Sequence, residues 1–72
     1  MAGGLQDRTE GERISRLFAD ITHELERAHE VSVDGQDGHR SNADRRRLLA
    51  RLSRRLDRCA AIVVELSVLL EQ

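Results

Sequence analysis

The chain has 72 residues, 39% hydrophobic and 35% charged, with a formal net charge of −1. That is one small domain, with apolar side chains enough for a helical core but too little chain for a cleft of enzyme size; a domain this short buries only about 60% of its unfolded surface, so a partner helps it. There is no Pro, Trp or Tyr, one Phe and one Cys, so nothing interrupts a long helix, the rings on which single-stranded nucleic acid stacks are missing but for Phe18, and no internal disulfide can form, as suits a reducing compartment.

Residues 1–8 (MAGGLQDR) hold two glycines and little apolar content, and flexibility is expected there. They lack a basic start followed by an apolar stretch, so no secretory signal is expected. Thr9 followed by Glu12 is a capping-box pattern, weakened by Gly11 in the first turn. Ile14, Leu17, Phe18, Ile21, Leu25 and Ala28 then recur at helical spacing and mark one face of a first helix, about residues 10–30. The segment SVDGQDGHRSN, residues 32–42, carries two Asp-Gly pairs and reads as the loop, about 31–42. Ser41 with Asp44 is a second capping-box pattern and opens a second helix, about 43–71. Its Leu49, Leu52, Leu56, Cys59, Val63, Leu66 and Leu70 alternate at spacings of 3 and 4, a three-heptad coiled-coil seam. Leu48, Ile62 and Leu69 widen it to a bundle-type stripe.

The expected fold is therefore all-α: a flexible N-terminus and one antiparallel two-helix hairpin, completed by a partner chain or by dimerisation. Its core is expected from Ile14, Leu17, Phe18, Ile21 and Leu25 on the first helix and Leu49, Leu52, Leu56, Cys59 and Val63 on the second. At 1.5 Å per residue the helices would be roughly 30 and 43 Å long, so the second should overhang beyond about residue 64. Only Leu5 could cover that end. Ala60, Ala61, Val64 and Val68 form a further stripe away from the seam, which makes the last third apolar nearly all round. Such a helix is a buried one. Burying a Val or Leu is worth roughly 1.5–3 kcal/mol, so a second chain is expected there, with Ile62, Val64, Leu66, Val68 and Leu69 facing it.

Charge is segregated. Residues 1–38 carry four Arg and nine acids; residues 39–72 carry eight Arg and four acids. Arg47, Arg51, Arg54 and Arg58 line one face. They form either a nucleic-acid stripe or the partners of Asp20, Glu24, Glu26 and Glu30, which the hairpin brings alongside. Pairing or solvation is the favoured reading, since aromatics are absent and net charge is near zero. Exposed pairs of this kind set orientation more than stability, at about 0–1 kcal/mol each.

No catalytic, cofactor or metal site is expected. Asp34-Gly-Gln-Asp-Gly faintly resembles a calcium loop, but Gln36 and Arg45 stand where oxygen ligands at the third and twelfth positions are needed. His23, His29 and His39 share no helix-face spacing and have no zinc-ligand partners. Cys59 sits in an apolar seam with no base beside it, so it reads as a small core residue rather than a nucleophile. The longest apolar run, Cys59 to Val64, falls far short of the about 20 residues of a membrane span, and a cytoplasmic protein is expected.

The run Ile14-Ser-Arg-Leu-Phe-Ala-Asp-Ile-Thr-His-Glu-Leu and the run Leu56-Asp-Arg-Cys-Ala-Ala-Ile-Val-Val-Glu-Leu give a short hairpin whose second helix ends in small residues and paired aliphatics. In pattern and size this resembles the small co-chaperones of type III secretion needle subunits. The resemblance implies a protein that pairs with a tetratricopeptide-like chaperone and helps keep the needle subunit soluble before export. The long loop and Arg-rich second helix depart from that pattern. Two other readings stand beside it. One is a homodimeric four-helix-bundle scaffold or docking module. The other is a small nucleic-acid-binding regulator using the Arg stripe, whose binding would depend strongly on salt.

Overall fold

The computed structural model describes the backbone of residues 2–71 and the side chains of Thr9 to Glu71. Two α-helices, α1 (Ala2–Gly35, 34 residues) and α2 (Asn42–Leu70, 29 residues), pack antiparallel as an all-α hairpin. The result is a rod with extents of 61 × 15 × 12 Å and a radius of gyration of 17.2 Å, against about 11 Å for a compact globule of this length.

Both ends of α1 lie further out than the sequence suggests. The helix starts at Ala2 rather than near residue 10. Gly3 and Gly4 weaken helix by about 1 kcal/mol each but do not stop it, and no Pro intervenes. Thr9 therefore lies inside α1 and does not cap it. Side chains of residues 1–8, Leu5 among them, lie outside the described residues.

At its other end α1 absorbs Val31–Gly35, and the connection contracts to residues 36–41. Only the second Asp-Gly pair sits in the turn. Gln36 N–H donates to the Val33 carbonyl (3.0 Å), Asp37 N–H to Asp34 (3.3 Å) and Arg40 N–H to Asp37 (3.2 Å). The Asp37 carboxylate accepts from His39 N–H at 2.9 Å, an Asx-type closure. Ser41 is the N-cap of α2 as its pattern suggests: its hydroxyl oxygen accepts from Asp44 N–H at 3.1 Å. Asp44 does not complete the reciprocal bond of a capping box; its carboxylate pairs with Arg47 at 3.0 Å.

Cross-helix ion pairs fix the register. Arg13 pairs with Glu65, and Glu24 with Arg55 and Arg58. Interpolating between them sets Ile14 level with Leu66, Leu17 with Ile62, Ile21 with Cys59, Ala28 with Leu52 and Val31 with Leu48. Ala28, Val31, Leu48, Cys59 and Leu66 are buried, as is Glu24, while Ile14, Leu17, Ile21, Leu52, Arg55, Ile62 and Leu69 are partly covered. These positions recur at 3 and 4 on both helices, so the seam is 14, 17, 21, 24, 28 and 31 against 48, 52, 55, 59, 62, 66 and 69.

This seam corrects the expected core by one residue. Leu48 is 8% exposed, whereas Leu49 is 64% exposed. Leu56, Val63 and Leu70 lie outside with Leu49, and so do Phe18 and Leu25 on α1. Ile14, Leu17, Ile21, Leu52 and Cys59 lie in the seam. The expected partner-facing set divides in the same way. Leu66, at 4% exposure, is inside the hairpin with Ile62 and Leu69, and only Val64 and Val68 face out. The cause is the shorter connection: α1 runs on to Gly35, which slides the pairing along α2 and sets Ile14, already inside the expected helix, level with Leu66.

Candidate functional site

With the seam fixed, each helix has two flanks. In heptad terms the flank preceding each a position is g and the one following each d position is e; in an antiparallel pair g faces g and e faces e. The g positions are Arg13, Asp20, Arg27 and Asp34 on α1 and Asp44, Arg51, Arg58 and Glu65 on α2. Every one of these is charged, which covers the g positions among the residues with described side chains. Arg27, Asp34 and Arg51 line one cleft on this side and Arg13 and Glu65 another.

The other side has the opposite character. Its e positions are Gly11, Phe18, Leu25 and Ser32 on α1 and Leu49, Leu56, Val63 and Leu70 on α2. Ser32 and Leu49 line the same shallow cleft, as a shared side requires. Phe18, Leu25, Leu49, Leu56, Val63 and Leu70 are all exposed. The register sets Phe18 near Val63 and Leu25 near Leu56. Among the described side chains the adjoining outer row, Ser15, Thr22 and His29 with Ser53, Ala60 and Ser67, holds no acid and no Arg until Arg46. The hairpin thus carries an apolar strip, roughly 32 Å long over Leu49–Leu70, edged by small polar residues.

The spacing of 3 and 4 read from 49, 52, 56, 59, 63, 66 and 70 mixes this strip with the buried seam. The signal that separates them is also in the sequence. Leu49, Leu56, Val63 and Leu70 recur every seven residues, and so do the charged Asp44, Arg51, Arg58 and Glu65, on opposite sides of the same seam.

One polar layer interrupts the seam. Glu24, 4% exposed, accepts a hydrogen bond from Arg55 Nη1 at 3.0 Å, and Arg58 Nε lies 3.2 Å from its other oxygen. The Arg55 hydrogen bond holds its carboxyl below the ordinary 4.5; desolvation opposes this, and the positive charges of Arg55, Arg58 and His23 reinforce it.

Of the expected Arg stripe, Arg47 pairs with Asp44 and Arg58 with Glu24. Arg51 and Arg54 line an open cleft with Arg55 and Arg58. Of the acids expected opposite, Glu24 alone makes a cross-helix pair with these arginines; Glu30 pairs with Arg27 on its own helix. His23, His29 and His39 are exposed and Cys59 is buried. Among the described residues no group of His, Cys, Asp and Glu could hold a metal ion, and no helix is long and apolar enough to cross a membrane.

No protein-family model, curated protein or solved structure matches this chain.

Proposed function

We propose that this chain is a non-enzymatic protein–protein interaction module, and that it docks an apolar helical surface on the strip formed by Phe18, Leu25, Leu49, Leu56, Val63 and Leu70. The observation that carries this reading is the division between the two flanks: one is charged at every heptad, the other is apolar and solvent-exposed. A helix pair needs only its a and d positions to hold together; a third apolar position per heptad belongs to a bundle of more helices. Exposed apolar surface of this extent rimmed by polar residues is what protein interfaces use.

The co-chaperone role is the narrower form of the same proposal, and it draws on the resemblance of the two helical runs. Since Ile62, Leu66 and Leu69 are engaged with α1, a needle subunit or a tetratricopeptide-like chaperone would meet Leu49, Leu56, Val63 and Leu70 instead. The test is site-specific photo-crosslinking in cells, with the photoreactive residue at Leu56 in one variant and at the adjacent Asp57 in another. Position 56 should give a discrete protein adduct and position 57 none. Equal labelling at both positions, or none at either, refutes the docking strip.

A further inference from the structure

We infer that the occupant of this strip is a second copy of the same chain, in a four-helix bundle whose two hairpins run antiparallel. This rests on the docking strip proposed above and names its partner.

Area is the first argument. The accessible surface is 5763 Å², about 1,200 Å² more than a compact monomer of this mass exposes, and a standard interface takes about 800 Å² from each partner. The hairpin is a half-built globule with surplus surface of the right size, and it has no fully buried side chain of its own among the described residues.

The second argument is self-complementarity. A two-fold axis lying across the strip at the level of Ile21 and Cys59 maps the strip onto itself. Phe18 then meets Leu25 of the second copy, Leu56 meets its Val63, and Leu49 meets its Leu70. Gly11 meets Ser32, so the smallest residues also meet each other. Heptad spacing alone aligns the positions; the residue types add that the apolar pair of α1, Phe18 and Leu25, and the apolar run of α2, Leu49 to Leu70, are centred at the same level.

Charge supplies the third. Arg45, Arg46 and Arg47 crowd the start of α2, while its last turn holds no basic residue and is followed by Glu71. The antiparallel arrangement lays Arg46 of one copy beside the last turn and Glu71 of the other, where the helix dipole favours a cation. A parallel arrangement would instead gather the arginine-rich ends of both copies together.

Sedimentation equilibrium on the full chain, from about 1 to 200 μM, tests this alongside Leu56→Glu, with helicity followed by circular dichroism. The wild type should have the mass of two chains. Leu56→Glu should keep its helicity and dissociate about a hundredfold or more readily, since each substitution enters the dimer twice. If that variant unfolds, a second one decides. Cys59→Ala with Leu49→Cys and Leu70→Cys should oxidise to a covalent dimer, and Leu49→Cys alone in the same background should not.

A wild type that stays monomeric and helical throughout overturns the inference; a non-self adduct at position 56 would then still uphold the docking strip. A dimer indifferent to Leu56→Glu, or a 49/70 pair that fails to cross-link, overturns it as well.

Discussion

Leu48 and Leu49 are chemically identical neighbours placed on opposite sides of the seam boundary, which makes them a direct test of the frame. Leu48 is 8% exposed and Leu49 64% exposed. Full burial of a leucine is worth roughly 2 kcal/mol, so the hairpin gains most of that at Leu48 and about a third of it, near 0.7 kcal/mol, at Leu49. Leu48→Ala also leaves a void against Val31 and Leu52, which brings its expected cost to about 2–3 kcal/mol. A domain of this size has only about 4–11 kcal/mol in total, so the loss should lower Tm by on the order of 10–20 °C. The assay is urea unfolding followed by circular dichroism at two protein concentrations. Leu48→Ala should be destabilised at both. Leu49→Ala should be nearly silent in dilute solution and costly in concentrated solution, where the strip is covered. Equal losses for the two variants in dilute protein would refute the seam and restore the alternative phase through 49, 56 and 63.

Three further outcomes follow from the same geometry. The folded carboxyl of Glu24 is held below its ordinary value, so its contribution is complete above the unfolded pKa of about 4.5 and is lost as pH falls through the lower folded value; the urea midpoint of the wild type should therefore drop more steeply below pH 4.5 than that of Glu24→Gln, and parallel profiles would count against the layer. Ser41→Ala removes the acceptor for Asp44 N–H and should cost about 1 kcal/mol by the same unfolding assay. At Gly11 a Cβ would meet nothing of its own chain within 4 Å, so in dilute protein, where the strip is bare, Gly11→Ala should stabilise the hairpin by about 0.5–1 kcal/mol, and a loss of stability there would show that α1 is not continuous through this turn.

Much of the architecture is legible in the residues. The 3-and-4 recurrence from Leu49 onward specifies a helix whichever phase is chosen. The turn residues between Asp34 and Ser41 mark the reversal, and Ser41 caps the second helix as its pattern suggests. The phase itself is not legible from hydrophobicity, because two apolar strips one residue apart share Leu52, Cys59 and Leu66. The reading with the most apolar residues skips Glu24, which the seam buries, and Arg55, which it half-covers. Helix length is not legible for a related reason: Gly3, Gly4 and Gly11 carry only a modest penalty, and a Thr-x-x-Glu pattern inside a helix is identical in sequence to one at its start. The apolar excess of α2 does leave exposed apolar side chains, but they lie along the side of the whole rod rather than at the end of α2.

The Glu24–Arg55 layer has a bearing on how the two helices recognise each other. Slide α1 by one heptad in either direction and Glu24 comes level with Leu48 or Ile62, while Arg55 is stranded among aliphatic side chains. Glu24 would then lose its partners in a desolvated setting, the situation a buried charge punishes most, while half-exposed Arg55 would lose its acceptor. The layer therefore works as a key cut for one alignment, and it reads only the sequence of the opposing helix, not the chain that helix belongs to. Should the hairpin open, α2 of any other copy presents the same lock at the same height, so exchange of helices between molecules would rebuild the native alignment rather than a shifted one.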